Sequence, residues 1–407
     1  MHVQLNRCGQ QHTQLRDRQQ ARNDVKTHRY SRRSSATIRA FWQQLLPGRS
    51  KPSAPLGPTE RPLYRPSELV PLGKLKVSPM GLGTWSWGNR FLWGYDESQD
   101  PELQELFNLV VSNGINIFDT ADSYGTGRLN GKSELLLGKF TREYPGSDRV
   151  RDGVHIATKF AAYPWRVLPG NMVAACRGSL KRLGLEQLSV GQLHWSTANY
   201  QPLQELALQA GLADCYEQRL VREVGVSNYG PQQLKKIHAA LAKRGVPLAS
   251  AQIQFSLLSW GTAQQDLKAL CDDLGVTVIA YSPLALGLLS GTAAAGGRVS
   301  PSPSPSPSLP PGPRGALFRQ LLPEVEPLMR VVEEVARERG KTPAQVAINW
   351  CMAKGAVPIP GAKDLPQARE NLGALGWRLG RGEVEELDRA ARGIGKGAMV
   401  QNIFQTK

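Results

Sequence analysis

Four ionisable residues of complementary type stand at or a few residues beyond the ends of short apolar, β-branched runs. Asp119 and Tyr124 lie in "INIFDTADSYGTGRLNG" (115–131), Lys159 in "ATKF" and His194 in "QLHWS". Singly, each has an ordinary explanation: a lysine at a strand end is usually solvated, a lone histidine usually packs, and a tyrosine before glycine usually turns the chain. Together they are the types needed to protonate an alkoxide as hydride reduces an aldehyde. Tyrosine, with an ordinary pKa of about 10, is a good proton donor if its value is drawn toward neutrality. A buried ammonium at Lys159 is expected to do this by favouring the phenolate. Asp119 would keep that ammonium charged in a dry pocket, and His194 would hydrogen-bond and orient the carbonyl oxygen. Asp122 and Ser123 are expected to be turn and cap residues.

These residues need a scaffold that brings strand ends together. From residue 79 the chain alternates short strand-like runs with longer amphipathic segments. The strand candidates span 80–85, 116–121, 154–160, 190–196, 223–228, 249–258, 276–283 and 356–361, with helical patterns such as "KSELLLGKF" and "PQQLKKIHAALAKRG" between them. Eight such units over about 300 residues, with strands apolar on both faces, predict an α/β fold: a closed (β/α)8 barrel. Active sites of that fold gather at the carboxyl ends of the strands. Read there, the chain adds Ser227 and Asn228 after strand five, Gln252 in strand six, and Tyr281 with Ser282 after strand seven. A doubly wound dehydrogenase is the alternative, but "GLGTWS" and "GTGRLNG" do not complete a G-x-G-x-x-G fingerprint.

Composition restricts the remaining classes. The net charge of +16 over 407 residues suggests a nucleic-acid partner only if it sits on the fold. Residues 1–59 carry a net +9, which leaves +7 over the other 348, with no basic stripe interleaved with aromatics. That leader is rich in Arg, Gln and Ser and ends in a Pro/Gly/Ser linker, so residues 1–60 are expected to be a disordered organelle transit peptide and linker. Its composition does not separate chloroplast from mitochondrion. The barrel is assigned to 61–407. Five scattered cysteines without C-x-x-C imply reduced thiols and neither a disulfide framework nor a metal site. No apolar run reaches the roughly 18 residues of a membrane span. "GTAAAGGRVSPSPSPSPSLPPGPRG" (291–315) is expected to be a flexible, low-complexity insertion in the loop after strand seven.

The motifs "FDTADSYG", "TKF", "QLHW", "GVSNYG" and "IPGAK…EN" occur in order over roughly residues 65–400, and in them the chain resembles the aldo-keto reductases. The resemblance implies a catalytic tetrad of Asp119, Tyr124, Lys159 and His194 and a nicotinamide cofactor, usually NADPH, bound at the barrel mouth. It also implies that Ser227, Asn228 and Gln252 hold the carboxamide and that Tyr281 stacks on the nicotinamide. The segment from Ser282 through Leu284 to Gly287 would follow the pyrophosphate, and Gly361, Lys363, Gln367, Glu370 and Asn371 would surround the adenosine end. Many relatives have Lys-Ser where this chain has Gly361-Ala362, which leaves Lys363 as the candidate for the 2′-phosphate. Trp85, Trp87, Trp93, Trp165 and Trp195 follow strands one, three and four, placed to clasp a flat ring by stacking. Some relatives are regulatory β subunits of potassium channels that bind NADP mainly as partner proteins. Such a sensor tolerates loss of tetrad members, and all four are present here.

Overall fold

The computed structural model describes residues 60–125, 131–290, 313–394 and Thr406. The expected leader (all but Glu60), most of the Ser-Pro insertion and most of the terminal "QNIFQTK" lie outside these residues.

Eight parallel strands follow one another in chain order: β3 (Leu82–Gly83), β4 (Ile117–Asp119), β5 (His155–Phe160), β6 (Leu188–Leu193), β7 (Val221–Ser227), β8 (Leu248–Gln254), β9 (Thr277–Tyr281) and β10 (Val357–Pro358). A parallel bridge between Gly83 and Gly361 joins the first strand's end to the loop leaving the last and closes the barrel. Closure there requires a bare backbone. A Cβ on Gly83 would lie 3.0 Å from the Ile359 carbonyl oxygen, and the Gly83 amide donates to the Pro360 carbonyl at 3.1 Å. Helices cover the outside, so the strands are buried on both faces; all six residues of β6 are buried.

The interior differs between its two ends. At the amino end it is apolar: Ile117, Ala157, Val190, Ile279, Val357 and Ile359 form one cluster. An antiparallel hairpin, β1 (Val70–Leu72) and β2 (Leu75–Val77), seals that end by adding Leu72, Leu75 and Val77. The hairpin was not among the strands expected from sequence, although Val70, Leu72, Leu75 and Val77 alternate around a two-residue turn. Gly73 takes the first turn position at φ +57. At the carboxyl end the interior carries Asp119, Lys159 and Gln252 instead.

One boundary moves. The helix Pro313–Arg339 begins inside the stretch expected to be flexible up to residue 315, and it tolerates Pro323 and Pro327. Cys176, Cys215, Cys271 and Cys351 are free and buried. Among the described residues there is no group of ligating side chains placed to hold a metal, and no helix is long and apolar enough to cross a membrane.

Candidate active site

Adjacent strands deliver the four predicted ionisable residues to one corner of the carboxyl-end mouth. Asp119 is the last residue of β4, and Tyr124 follows in the next turn, its N–H donating to the Ala121 carbonyl at 3.1 Å. Lys159 is the fifth residue of β5, and His194 directly follows β6. Lys159 Nζ donates to Asp119 Oδ1 at 2.6 Å and to the Thr120 carbonyl at 2.8 Å. The side chains of this pair are 1% and 5% exposed. The same ammonium lies 4.8 Å from the centre of the Tyr124 ring. The rings of Tyr124 and His194 meet edge to face at 5.8 Å. Ser123 Oγ is 3.4 Å from His194 Nδ1.

Burial sets the protonation states. The Tyr124 phenol is pushed well above its ordinary value, first by desolvation and then by the negative charge of Asp119. The downward pull expected from Lys159 does not prevail over that burial. Tyr124 therefore holds its proton. His194 is pushed well below the usual imidazole value by burial and by the Lys159 charge, so it is a neutral hydrogen-bonding group. Lys159 is lowered by burial, with Asp119, Asp122 and Glu134 acting in the opposite direction.

Asp122 and Ser123 do occupy the turn, yet Asp122 is more than a turn residue. Its carboxylate is buried, pairs with Arg166 Nη1 at 2.7 Å and accepts the Ala161 N–H at 3.1 Å. It thereby ties the loop after β4 to the loop after β5. Burial raises the Asp122 carboxyl, and Arg166 opposes that rise. Sequence reading missed Arg166, and the 44 residues separating it from Asp122 leave no local signal.

The second group of expected residues borders the first. Asn228 Nδ2 donates to the His194 carbonyl at 2.9 Å, and Tyr281 Oη donates to Asn228 Oδ1 at 2.8 Å. Gln252 Nε2 donates to Asp119 Oδ2 at 2.6 Å, so this amide braces the Asp119 carboxylate. Five non-glycine residues among those described have positive φ, and four of them are Asn228, Ser282, Ala285 and Leu286. Strained backbone is thus concentrated on the loops after β7 and β9, where a ligand is expected. After β10, Lys363 is exposed, its N–H donates to Gln367 Oε1 at 3.2 Å, and Asn371 Nδ2 donates to the Gly361 carbonyl at 3.2 Å. Glu370 directs its carboxylate to the Thr342 hydroxyl.

The tryptophans divide. Trp85 is 40% exposed, 5.6 Å from Trp93 and 6.5 Å from Tyr124 between ring centres. Trp195 packs 5.1 Å from the His194 ring and borders a cavity of about 670 Å³ with Ala162, Pro164, Val167 and Tyr200. Trp165 is exposed and stacks on Tyr163 at 4.6 Å. Trp87 departs from expectation: it is fully buried, packs on Phe140 and donates from Nε1 to the Ala362 carbonyl at 2.9 Å. It is a core residue because its indole N–H finds a buried partner behind the barrel wall.

Residues 79–392 match the Aldo/keto reductase family. The chain is 57% identical over 350 residues to a chloroplastic pyridoxal reductase of Arabidopsis thaliana, covering 86% of this chain and 93% of that protein. It is 32% identical over 343 residues to an uncharacterised oxidoreductase of Mycobacterium tuberculosis, covering 82% and 96% of the two chains. Among solved structures, a thermostable aldo-keto reductase in complex with the inhibitor epalrestat aligns with a TM-score of 0.60 at 26% identity, over 79% of this chain and 98% of that one. The glycerol dehydrogenase of Gluconobacter oxydans shares the fold, with a TM-score of 0.62 at 24% identity over 80% and 95% of the chains.

Proposed function

The chain belongs to the aldo/keto reductase family, and from that premise we propose that it reduces pyridoxal to pyridoxine with NADPH, a step of vitamin B6 salvage. The observation that carries this reading is the buried Lys159–Asp119 pair beside a protonated Tyr124 and a neutral His194. NADPH, when bound, would supply the hydride for the aldehyde carbon. Tyr124 gives its proton to the carbonyl oxygen as negative charge develops there. His194 hydrogen-bonds the same oxygen and fixes its direction. Lys159 stabilises the phenolate left on Tyr124, and Asp119 holds the ammonium in place with Gln252 behind it. General-acid assistance of this kind contributes on the order of 10²- to 10⁴-fold in rate.

Ser227, Asn228, Gln252 and Tyr281 are the residues that would hold the nicotinamide. The irregular turn Ser282–Gly287, with Leu284 inside it, presents positive-φ backbone of the kind that cradles anionic groups. Lys363 and Gln367 at the start of the helix Leu365–Leu372, with Gly361, Glu370 and Asn371, would take the adenosine end. Trp85 beside Tyr124, with Trp93 packed edge-on against it, and Trp195 beside His194 suit the flat face of a pyridine aldehyde; Trp165 stands on the loop after β5. The 57%-identical relative is a chloroplastic protein, and the basic, acid-poor leader agrees with delivery to the plastid stroma.

The test is steady-state NADPH oxidation by residues 60–407 with pyridoxal beside para-nitrobenzaldehyde. A kcat/KM well above that for the generic aldehyde is expected for pyridoxal. A reversed preference makes this a broad carbonyl reductase, and tight NADPH binding without turnover makes it a regulatory subunit.

A further inference from the structure

Asn228 is held in the left-handed region at φ +63 although it carries a side chain. Asparagine tolerates this conformation better than most residues, and here surrounding contacts hold it there. Three of those contacts come from within the barrel. The Asn228 N–H donates to the Gln252 carbonyl at 3.0 Å, its Nδ2 to the His194 carbonyl at 2.9 Å, and its Oδ1 accepts the Tyr281 hydroxyl at 2.8 Å. Asn228 is therefore the joint at which the ends of β6, β7, β8 and β9 meet.

The fourth contact comes from outside the barrel. The Thr406 N–H donates to the Asn228 carbonyl at 3.1 Å, and Thr406 Oγ1 accepts the Gly230 N–H at 2.9 Å. Thr406 is 7% exposed, so both bonds are shielded from water. One residue thus bonds both ends of the tripeptide Asn228–Tyr229–Gly230. Gly230 in turn immediately precedes the helix Pro231–Ala242, whose first residue has no N–H to offer. Tyr229 is fully buried with its hydroxyl on Glu205 Oε1 at 2.7 Å. That anchor and the Thr406 clip hold the main chain on the carboxyl side of Asn228.

We propose that Thr406 is a positioning residue for the cofactor: it locks Asn228 in its left-handed conformation and so presets the carboxamide site and the Tyr281 ring before NADPH arrives. The inference rests on the reading of Ser227, Asn228 and Tyr281 as the nicotinamide site. Thr406 acts through Asn228. Its contribution is pre-organisation, which appears in cofactor affinity more than in the chemical step.

The experiment compares wild type with Thr406→Val, which keeps the shape and removes the acceptor, and Thr406→Ser, which keeps the acceptor. NADPH Kd is read from quenching of tryptophan fluorescence, and exchange of the Gly230 amide is followed in the cofactor-free protein. Thr406→Val should weaken NADPH on the order of tenfold and speed Gly230 exchange, because a buried donor is left unpaired. Thr406→Ser should stay within about twofold of wild type on both readouts, and deletion of 406–407 should exceed the valine effect. If Thr406→Val binds NADPH as wild type does, the inference fails while the functional reading stands. If only the KM for the aldehyde moves, Thr406 is merely a wall of the cavity beside Trp195, which also overturns it. If wild type itself does not bind NADPH, the functional reading falls and takes the inference with it.

Discussion

Two lysines of the barrel stand in opposite environments. Lys159 is 1% exposed, bonded to Asp119 and a carbonyl, and lies beside the Tyr124 ring. Lys363 is exposed on the loop after β10, at the start of a helix capped by Asp364. In the dry corner an ammonium is retained only because its partners are fixed, and its charge helps hold the His194 imidazole low. At the wet rim an ammonium is a hydrated point charge that suits a phosphate and is screened by salt. The contrast shows why removing a group from the first region should abolish chemistry, whereas removing one from the second should alter selectivity.

The sharpest way to break this contrast is Tyr124→Phe. kcat should fall on the order of 10²- to 10⁴-fold while NADPH affinity by fluorescence is retained; an unchanged kcat would dismantle the assignment. The raised Tyr124 phenol and the lowered His194 imidazole also set the pH profile. Tyr124 must be protonated and His194 neutral. kcat/KM should therefore be level through neutrality, decline on the acid side only below the ordinary imidazole range, and decline on the alkaline side only above the ordinary phenol range.

The next effect lies in stability. Arg166→Leu strands the buried Asp122 carboxylate and should cost roughly 3–5 kcal/mol in chemical denaturation. The sign with pH follows from the direction of the shift. A carboxyl raised in the folded state penalises folding once it ionises, so the loss should shrink as pH falls toward the ordinary aspartate range. A deficit that is constant with pH would mean that Arg166 matters by packing alone.

The smallest effect belongs to the rim. Lys363→Ala should raise KM for NADPH about tenfold and leave KM for NADH nearly unchanged, and the difference should fade as salt is added. Equal changes for both cofactors would remove Lys363 from the 2′-phosphate.

Much of the candidate site was legible because Asp119, Lys159 and His194 stand at or beside strand ends, with Tyr124 in the turn after one, and strand ends announce themselves through short apolar runs. Asp119, Lys159 and His194 needed only that rule and the barrel. The hairpin at the barrel's amino end escaped because its strands are three residues long and give little periodicity. Trp87 was misplaced because a tryptophan after a strand reads the same whether it turns to the mouth or to the core. Arg166 beside Asp122, Gln252 beside Asp119, and Thr406 beside Gly230 are separated by 44, 133 and 176 residues, and no local pattern connects them.

The sequence by itself determined which groups stand at the barrel mouth, because strand periodicity and chain order are properties of near neighbours. Only the tertiary structure decided what those groups are. It left Tyr124 protonated and His194 neutral, turned Asp122 into an inter-loop ion pair and clipped Asn228 from Thr406. Desolvation and charge pairing act through space, and distance in space is what the folded chain alone defines.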